Sequence, residues 1–138
     1  MDSTATDGEM MLVDETAYAS AAPERGHVIV FTTPGPSGEQ MLVKRVVAVP
    51  GDTIEYRACV LTIDGAIVDE PYLDPTIVEP DLCGADQSPL TLGADQYFTM
   101  GDNRGGSRDS RDLGPIALVD ILGRATTVVG VDGSRRSL

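Results

Sequence analysis

Antiparallel β-structure with little helix, a mainly β fold, is what this sequence predicts, and three features carry the expectation. Apolar residues fall in short runs of Val, Ile, Leu and Thr, and no long helical pattern is evident. Glycine and proline are frequent, at 15 and 9 of 138 residues, so turns must interrupt the chain often. The turn sequences Pro50-Gly51-Asp52 and Asp64-Gly65 stand between those runs, where chain reversals belong. The length suits one domain, residues 1–138, with a core that needs no metal or bridge to hold it.

The elements follow in order. Residues 10–13, Met-Met-Leu-Val, read as a first strand closed by Asp14 and Glu15, and residues 16–24 as a connector. Arg25-Gly26-His27 turns into Val28-Ile29-Val30-Phe31, whose continuous apolar run predicts burial on both faces. Pro34-Gly35-Pro36-Ser37-Gly38 holds two prolines and two glycines in five residues and is expected to break the ladder. Residues 41–49 form a strand that Pro50-Gly51-Asp52 reverses into a strand at 53–56. Residues 60–63 and 66–68 make a hairpin around Asp64-Gly65. Residues 69–89 carry four prolines and several acids without periodicity and read as an ordered excursion lacking regular elements. Strand character returns at 89–92 and 96–100 and closes the fold at 121–131, with a tail at 134–138 expected to fray.

Composition excludes several functions. A net charge of -12 denies the cationic surface that nucleic acid or an anionic membrane face requires, so no nucleic-acid partner is expected. No apolar run approaches the ~20 residues of a membrane helix, and no signal segment precedes the domain, so the chain as given reads as a soluble piece. Cys59 and Cys83 lack the spacing of a zinc knuckle and His27 is the single histidine, so no metal site is expected. Two free thiols and one bridge remain equally open.

Two stretches carry chemistry. In the strand at 41–49, Leu42, Lys44, Val46 and Ala48 share one face, while Val43, Arg45, Val47 and Val49 share the other. An ammonium in that apolar row loses hydration, which should lower the pKa of Lys44 toward neutrality and suit it to act as a base. The bland alternative is a lysine that snorkels to the sheet edge. Arg45 stays protonated wherever it lies. The second stretch, Gly101-Asp102-Asn103-Arg104-Gly105-Gly106-Ser107-Arg108-Asp109-Ser110-Arg111, has a composition that neither helix nor central strand tolerates. It reads as a loop leaving the strand that ends at Met100, with interleaved Asp and Arg able to pair with each other and fix its shape.

Together with Lys44-Arg45-Val46-Val47-Ala48-Val49-Pro50-Gly51-Asp52, that loop resembles two signature boxes of the type I signal peptidases, membrane proteases of the Ser-Lys kind. Arg25-Gly26-His27-Val28-Ile29-Val30-Phe31 is similar to a third box, with His27 where the family usually has Asp. Gly8-Glu9-Met10-Met11-Leu12-Val13-Asp14, Asp69-Glu70-Pro71-Tyr72 and Gly123-Arg124-Ala125 match further landmarks, so the resemblance spans nearly the whole chain. It implies the signal-peptidase β fold, cleavage of signal peptides from exported preproteins at the extracytoplasmic face of the cell membrane, and no cofactor. Lys44 takes the place of the general base and Ser107 that of the serine positioning it; Asp109 and Arg111 resemble a structural pair, and Asp102, Asn103 and Arg104 are loop architecture. The family's nucleophile, eight residues before the glycine matching Gly8, would fall just ahead of Met1. Residues 1–7 then read as the remnant of that box, with no nucleophile and no membrane anchor in the chain. A start assigned too late, a degenerate paralogue, and substitution by Ser3 are the three accounts, the last disfavoured because a three-residue displacement carries Ser3 beyond reach of the base. A noncatalytic peptide-binding paralogue and a self-cleaving repressor-type domain are the alternative functions.

Overall fold

The computed structural model describes residue 5, residues 8–75 and residues 82–138. The expected nucleophile-box remnant at 1–7, with Ser3, thus lies almost wholly outside the described residues, as does part of the proline-rich excursion.

The described residues form two antiparallel sheets. The larger runs β1 (Met10–Asp14), β10 (Ile121–Val129), β2 (Val28–Gly35), β3 (Gly38–Ala48), β8 (Gln96–Met100), β9 (Ile116–Ala117), with β11 (Arg135–Ser137) also paired to β10. The smaller runs β6 (Ala66–Ile67), β5 (Val60–Ile63), β4 (Thr53–Arg57), β7 (Gln87–Thr91). The described residues include one helical turn, α1 (Ser110–Leu113), and a 3₁₀ turn at Leu118–Asp120.

Alternation along the strands builds two apolar layers. Ile54 and Tyr56 of β4 and Leu61 and Ile63 of β5 turn inward onto Val47 and Ala48 of β3 and Phe98 and Met100 of β8. On the other face of the large sheet, Ile29, Phe31, Val46, Tyr97 and Ile116 pack together, with Leu42 against them. The β3–β8 register slips between Val46 and Ala48, a bulge that lets the consecutive Val47 and Ala48 both serve the first layer.

The turns follow their chemistry. Pro50-Gly51 places Gly51 at φ +90° and brings the Asp52 N–H to the Val49 carbonyl at 3.1 Å. Asp64 and Gly65 take φ of +52° and +80°, the doubly positive pair that matches the twist of a two-residue hairpin.

Four expectations are corrected. The β2–β3 ladder is not broken at Pro34 and Gly35: Pro34 pairs with Glu39 and Gly35 with Gly38 around a turn at Pro36-Ser37. A hairpin end tolerates a missing N–H, and the φ of +119° at Gly38 lets the chain reverse tightly. Residues 135–137 do not fray, since β11 pairs with β10 and Arg136 reaches Glu9. β7 begins inside the stretch read as irregular, because Gln87 and Leu90 find partners on β4. The end of the glycine-rich loop winds into α1, capped by the Asp109 carboxylate, with Asp112 bonding back to the cap.

Candidate active site

Lys44, the only lysine in the chain, lies on β3 opposite Ile29, on the same side of the strand as buried Val46 and partly buried Leu42. It is half-buried. Its strand neighbour Arg45 pairs with Met100, the last residue of β8, so the chain entering the glycine-rich loop runs beside it. Gly101 is the point of convergence. A side chain there would overlap Ser107 Oγ and Cβ and would stop 3.6 Å from Lys44 Nζ. Amine and hydroxyl therefore crowd one face of a residue that only glycine can supply.

Ser107 Oγ is buried and has no hydrogen-bond partner among the described residues. It lies close enough to Asp109 to favour that carboxylate's charged form without reaching hydrogen-bond geometry. A buried hydroxyl left unpaired costs about 1–3 kcal/mol, and such an atom in a folded protein calls for a functional explanation.

The loop behind this pair is held by three arginine–carboxylate forks. Asp109 takes Arg111 Nε and Nη2, each at 2.8 Å, and also accepts the Gly101 N–H at 2.9 Å. Burial pushes the Asp109 carboxyl up, but the bonds from Arg111 and Gly101 outweigh it and hold its pKa below the ordinary value. Arg111 also donates to the carbonyls of Cys83 and Arg104, both at 2.7 Å. Asp102 takes Arg45 Nε at 3.0 Å and Nη2 at 2.9 Å, while Arg45 Nη1 donates to the Gly26 carbonyl at 2.8 Å. Arg104 is clasped by Glu70 at 2.5 and 2.9 Å and donates through Nε to the Gly101 carbonyl at 3.1 Å. Burial opposes the charge on Arg104, yet the bonds to Glu70 prevail and raise its pKa further.

The expected residues are thus brought together, though not as the loop composition suggested. Asp109 and Arg111 pair within the loop; Asp102 and Arg104 find their partners outside it. Asn103 shapes the bend, its Oδ1 accepting the Gly106 N–H at 3.1 Å. Ser3 lies outside the described residues. Sequence reasoning missed Arg45, Glu70 and Tyr72, whose ring lies 4.0 Å under the Arg45 guanidinium and whose hydroxyl donates to Glu70 at 2.6 Å. A signal existed for Arg45, because a guanidinium buried on the face of Val43 and Val47 demands a carboxylate. For Glu70 the only signal was the resemblance of Asp69-Glu70-Pro71-Tyr72 to a family landmark, which named no partner 34 residues away.

Cys59 and Cys83 form a disulfide, with their Cα atoms 5.1 Å apart. His27 Nδ1 accepts the Glu24 N–H at 3.2 Å and lies 3.1 Å from the Tyr18 hydroxyl; burial and the charge of Arg124 hold its pKa below the usual value. No helix among the described residues is long and apolar enough to cross a membrane, and none of them form a cluster of His, Cys, Asp and Glu able to hold a metal ion.

The comparisons with known proteins agree with one another. A family model described as signal peptidase, peptidase S26, matches residues 1–130. Signal peptidase IB of Staphylococcus aureus strain COL is 34% identical over 138 residues, covering 91% of this chain and 71% of the relative. Signal peptidase I P of Bacillus subtilis subsp. natto is 37% identical over 128 residues, covering 89% and 68%. The crystal structure of a signal peptidase I from Enterococcus faecalis V583 superposes with a TM-score of 0.63 at 33% identity, covering 77% of this chain and 98% of that one.

Proposed function

Because the chain belongs to the signal peptidase family, peptidase S26, we propose that it carries the serine endopeptidase chemistry that releases signal peptides from exported preproteins, with Lys44 as general base. The observation that carries this reading is the convergence of Lys44 Nζ and the orphan Ser107 Oγ on Gly101. Ser107 would accept a hydrogen bond from the Lys44 amine and aim its lone pair, the role of the third group in a nucleophile–base–orienter arrangement.

The steps follow from that assignment. The neutral Lys44 amine takes the proton of a serine hydroxyl as its oxygen bonds to the scissile carbonyl carbon. As the tetrahedral intermediate collapses, the C–N bond breaks and Lys44 returns the proton to the leaving amine, which departs with the mature protein. Lys44 then deprotonates a water that attacks the acyl-serine ester; the ester C–O bond breaks, Lys44 returns the proton to the serine oxygen, and the signal peptide leaves with its new carboxylate. Asp102, Asn103, Arg104, Asp109 and Arg111 touch no reacting atom in this scheme; they fix the backbone that carries Ser107. Substrate would dock as an extended strand on a sheet edge, and β1 offers one: it ends the order of the larger sheet and exposes Met10, Leu12 and Val13. By the resemblance, the attacking serine would stand eight residues before the glycine that Gly8 matches, and the reaction would take place at the extracytoplasmic face of the membrane.

The test is cleavage of a preprotein by the chain carrying a serine and an apolar anchor ahead of Met1, beside the same protein with Lys44→Met. Cleavage that Lys44→Met abolishes supports the reading. Equal cleavage by both removes Lys44 from the chemistry. Tight binding of a signal peptide without cleavage by either points to the noncatalytic, peptide-binding reading.

A further inference from the structure

Gly101 is gripped at both ends. Its N–H is held by Asp109, itself held by Arg111, and its carbonyl is held by Arg104 Nε at 3.1 Å. The second grip depends on a residue outside the glycine-rich loop. Glu70 takes both terminal nitrogens of Arg104, at 2.9 and 2.5 Å, and leaves Nε as the nitrogen turned to the Gly101 carbonyl. Two residues on, Tyr72 donates its hydroxyl to Glu70 at 2.6 Å and lays its ring 4.0 Å beneath the guanidinium of Arg45, which in turn holds Asp102. Glu70-Pro71-Tyr72 therefore braces two of the three arginines behind the site.

We propose that Glu70 is a positioning residue for the Lys44–Ser107 pair, acting through Arg104 and the Gly101 carbonyl. The physical reason lies in how little freedom Gly101 has. Ser107 Oγ and Lys44 Nζ both lie against its bare Cα, so a rotation of the 101–102 peptide moves the surface on which they meet. Positioning groups must be held within about 0.5 Å to be productive. Hydrogen bonds to Asp109 alone fix the N–H side of Gly101 and leave its carbonyl side to Arg104. The Arg104 guanidinium is almost wholly buried, and without a carboxylate it would be driven to seek another acceptor or water. The Tyr72 hydroxyl, whose pKa burial and the Glu70 charge raise, stays a donor and keeps the carboxylate in place.

This inference rests on the reading of Lys44 as base, and one experiment separates the two. Lys44 is the only lysine, so lysine labelled with ¹³C at Cε gives a single resonance whose pH titration reports that amine alone. The full chain is compared with Glu70→Asp, which keeps the charge but shortens the reach by one methylene, with Tyr72→Phe, which removes only the hydroxyl, and with Glu55→Gln, a half-buried carboxylate on β4 near Arg57, as control. The wild-type midpoint is expected below that of an exposed lysine. Glu70→Asp is expected to raise it by about 0.5 pH unit or more as water enters a loosened site, with Tyr72→Phe moving it less in the same direction and Glu55→Gln not at all. A depressed wild-type midpoint that neither Glu70→Asp nor Tyr72→Phe moves would overturn the positioning role while leaving Lys44 as base. A wild-type midpoint at the ordinary lysine value would overturn both. Should Glu70→Asp unfold, Tyr72→Phe alone decides.

Discussion

Asp102→Asn isolates the charge of one buried fork at nearly constant volume. In the native protein the Arg45 and Asp102 side chains are 8% and 0% exposed and joined by two bonds of 2.9–3.0 Å, and Arg45 also donates to the Gly26 carbonyl. Removing one partner of such a pair leaves a guanidinium buried without its counter-charge, at a cost of about 3–5 kcal/mol. Against a total stability of about 5–15 kcal/mol for a domain, that is a large fraction. With a urea slope of about 1.5–2 kcal/mol/M, the unfolding midpoint followed by circular dichroism should fall by about 2 M. The double replacement Arg45→Met with Asp102→Leu removes both charges together and should recover most of the loss, because an apolar pair has no desolvation cost to offset. A midpoint drop below about 0.5 M for Asp102→Asn, or a double variant no better than the single, would refute the claim that the fork neutralises a truly buried charge.

Gly101→Ala drives a methyl group into Ser107 and should cost about 1–3 kcal/mol through overpacking, and in the serine-supplied protein it should cut the rate of preprotein cleavage far more than it raises KM. Asp109 has a depressed folded pKa, so its contribution is full above the ordinary carboxylate range and is lost as pH falls through the lower folded value. Urea midpoints between pH 7 and pH 3 should therefore drop more steeply for the native chain than for Asp109→Asn, which starts lower. Reducing the Cys59–Cys83 bridge, which spans a sequence separation of 24, should cost about 3 kcal/mol by releasing loop entropy to the unfolded chain, read as a lower urea midpoint under reductant and absent from a Cys59→Ala, Cys83→Ala variant.

What the sequence made legible was local. Asp64-Gly65 and Pro50-Gly51 declare their turns because backbone sterics act within four residues. Ile54 and Tyr56 declare their burial because a strand alternates. Lys44 stood out for the same reason, as a charge in the row of Leu42 and Val46. β9 and β11, two and three residues long, carry no pattern of their own and exist because β8 and β10 offer an edge. α1 did have a signal, acidic Asp112 three residues after the cap Asp109, but the glycines before it dominated the reading. Glu70 stood in a landmark of the resemblance, but the residues themselves, rich in proline, spoke of irregular backbone, and an ion pair across 34 residues leaves no trace in spacing.

The three forks also bear on how so many cations can stand behind a site whose proposed base is an uncharged amine. Unpaired guanidinium groups would repel the ammonium form of Lys44, and unpaired carboxylates would trap it as the cation. Arg45 with Asp102, Arg104 with Glu70 and Arg111 with Asp109 each sum to zero, so the loop gains charge-assisted rigidity without imposing a net field on its neighbour. In the proposed mechanism the apolar row on β3 and the hydroxyl of Ser107 are then among the groups that bear on the protonation of Lys44. That division of labour makes the forks separable from the chemistry. A variant that removes both charges of one fork should leave cleavage nearer to normal than one that removes a single charge, even where the double variant is the less stable protein. The comparison of cleavage rates for Asp102→Asn and for the Arg45→Met, Asp102→Leu pair decides it, and a faster single variant would show that the arginine's charge, not the geometry it holds, is what the reaction uses.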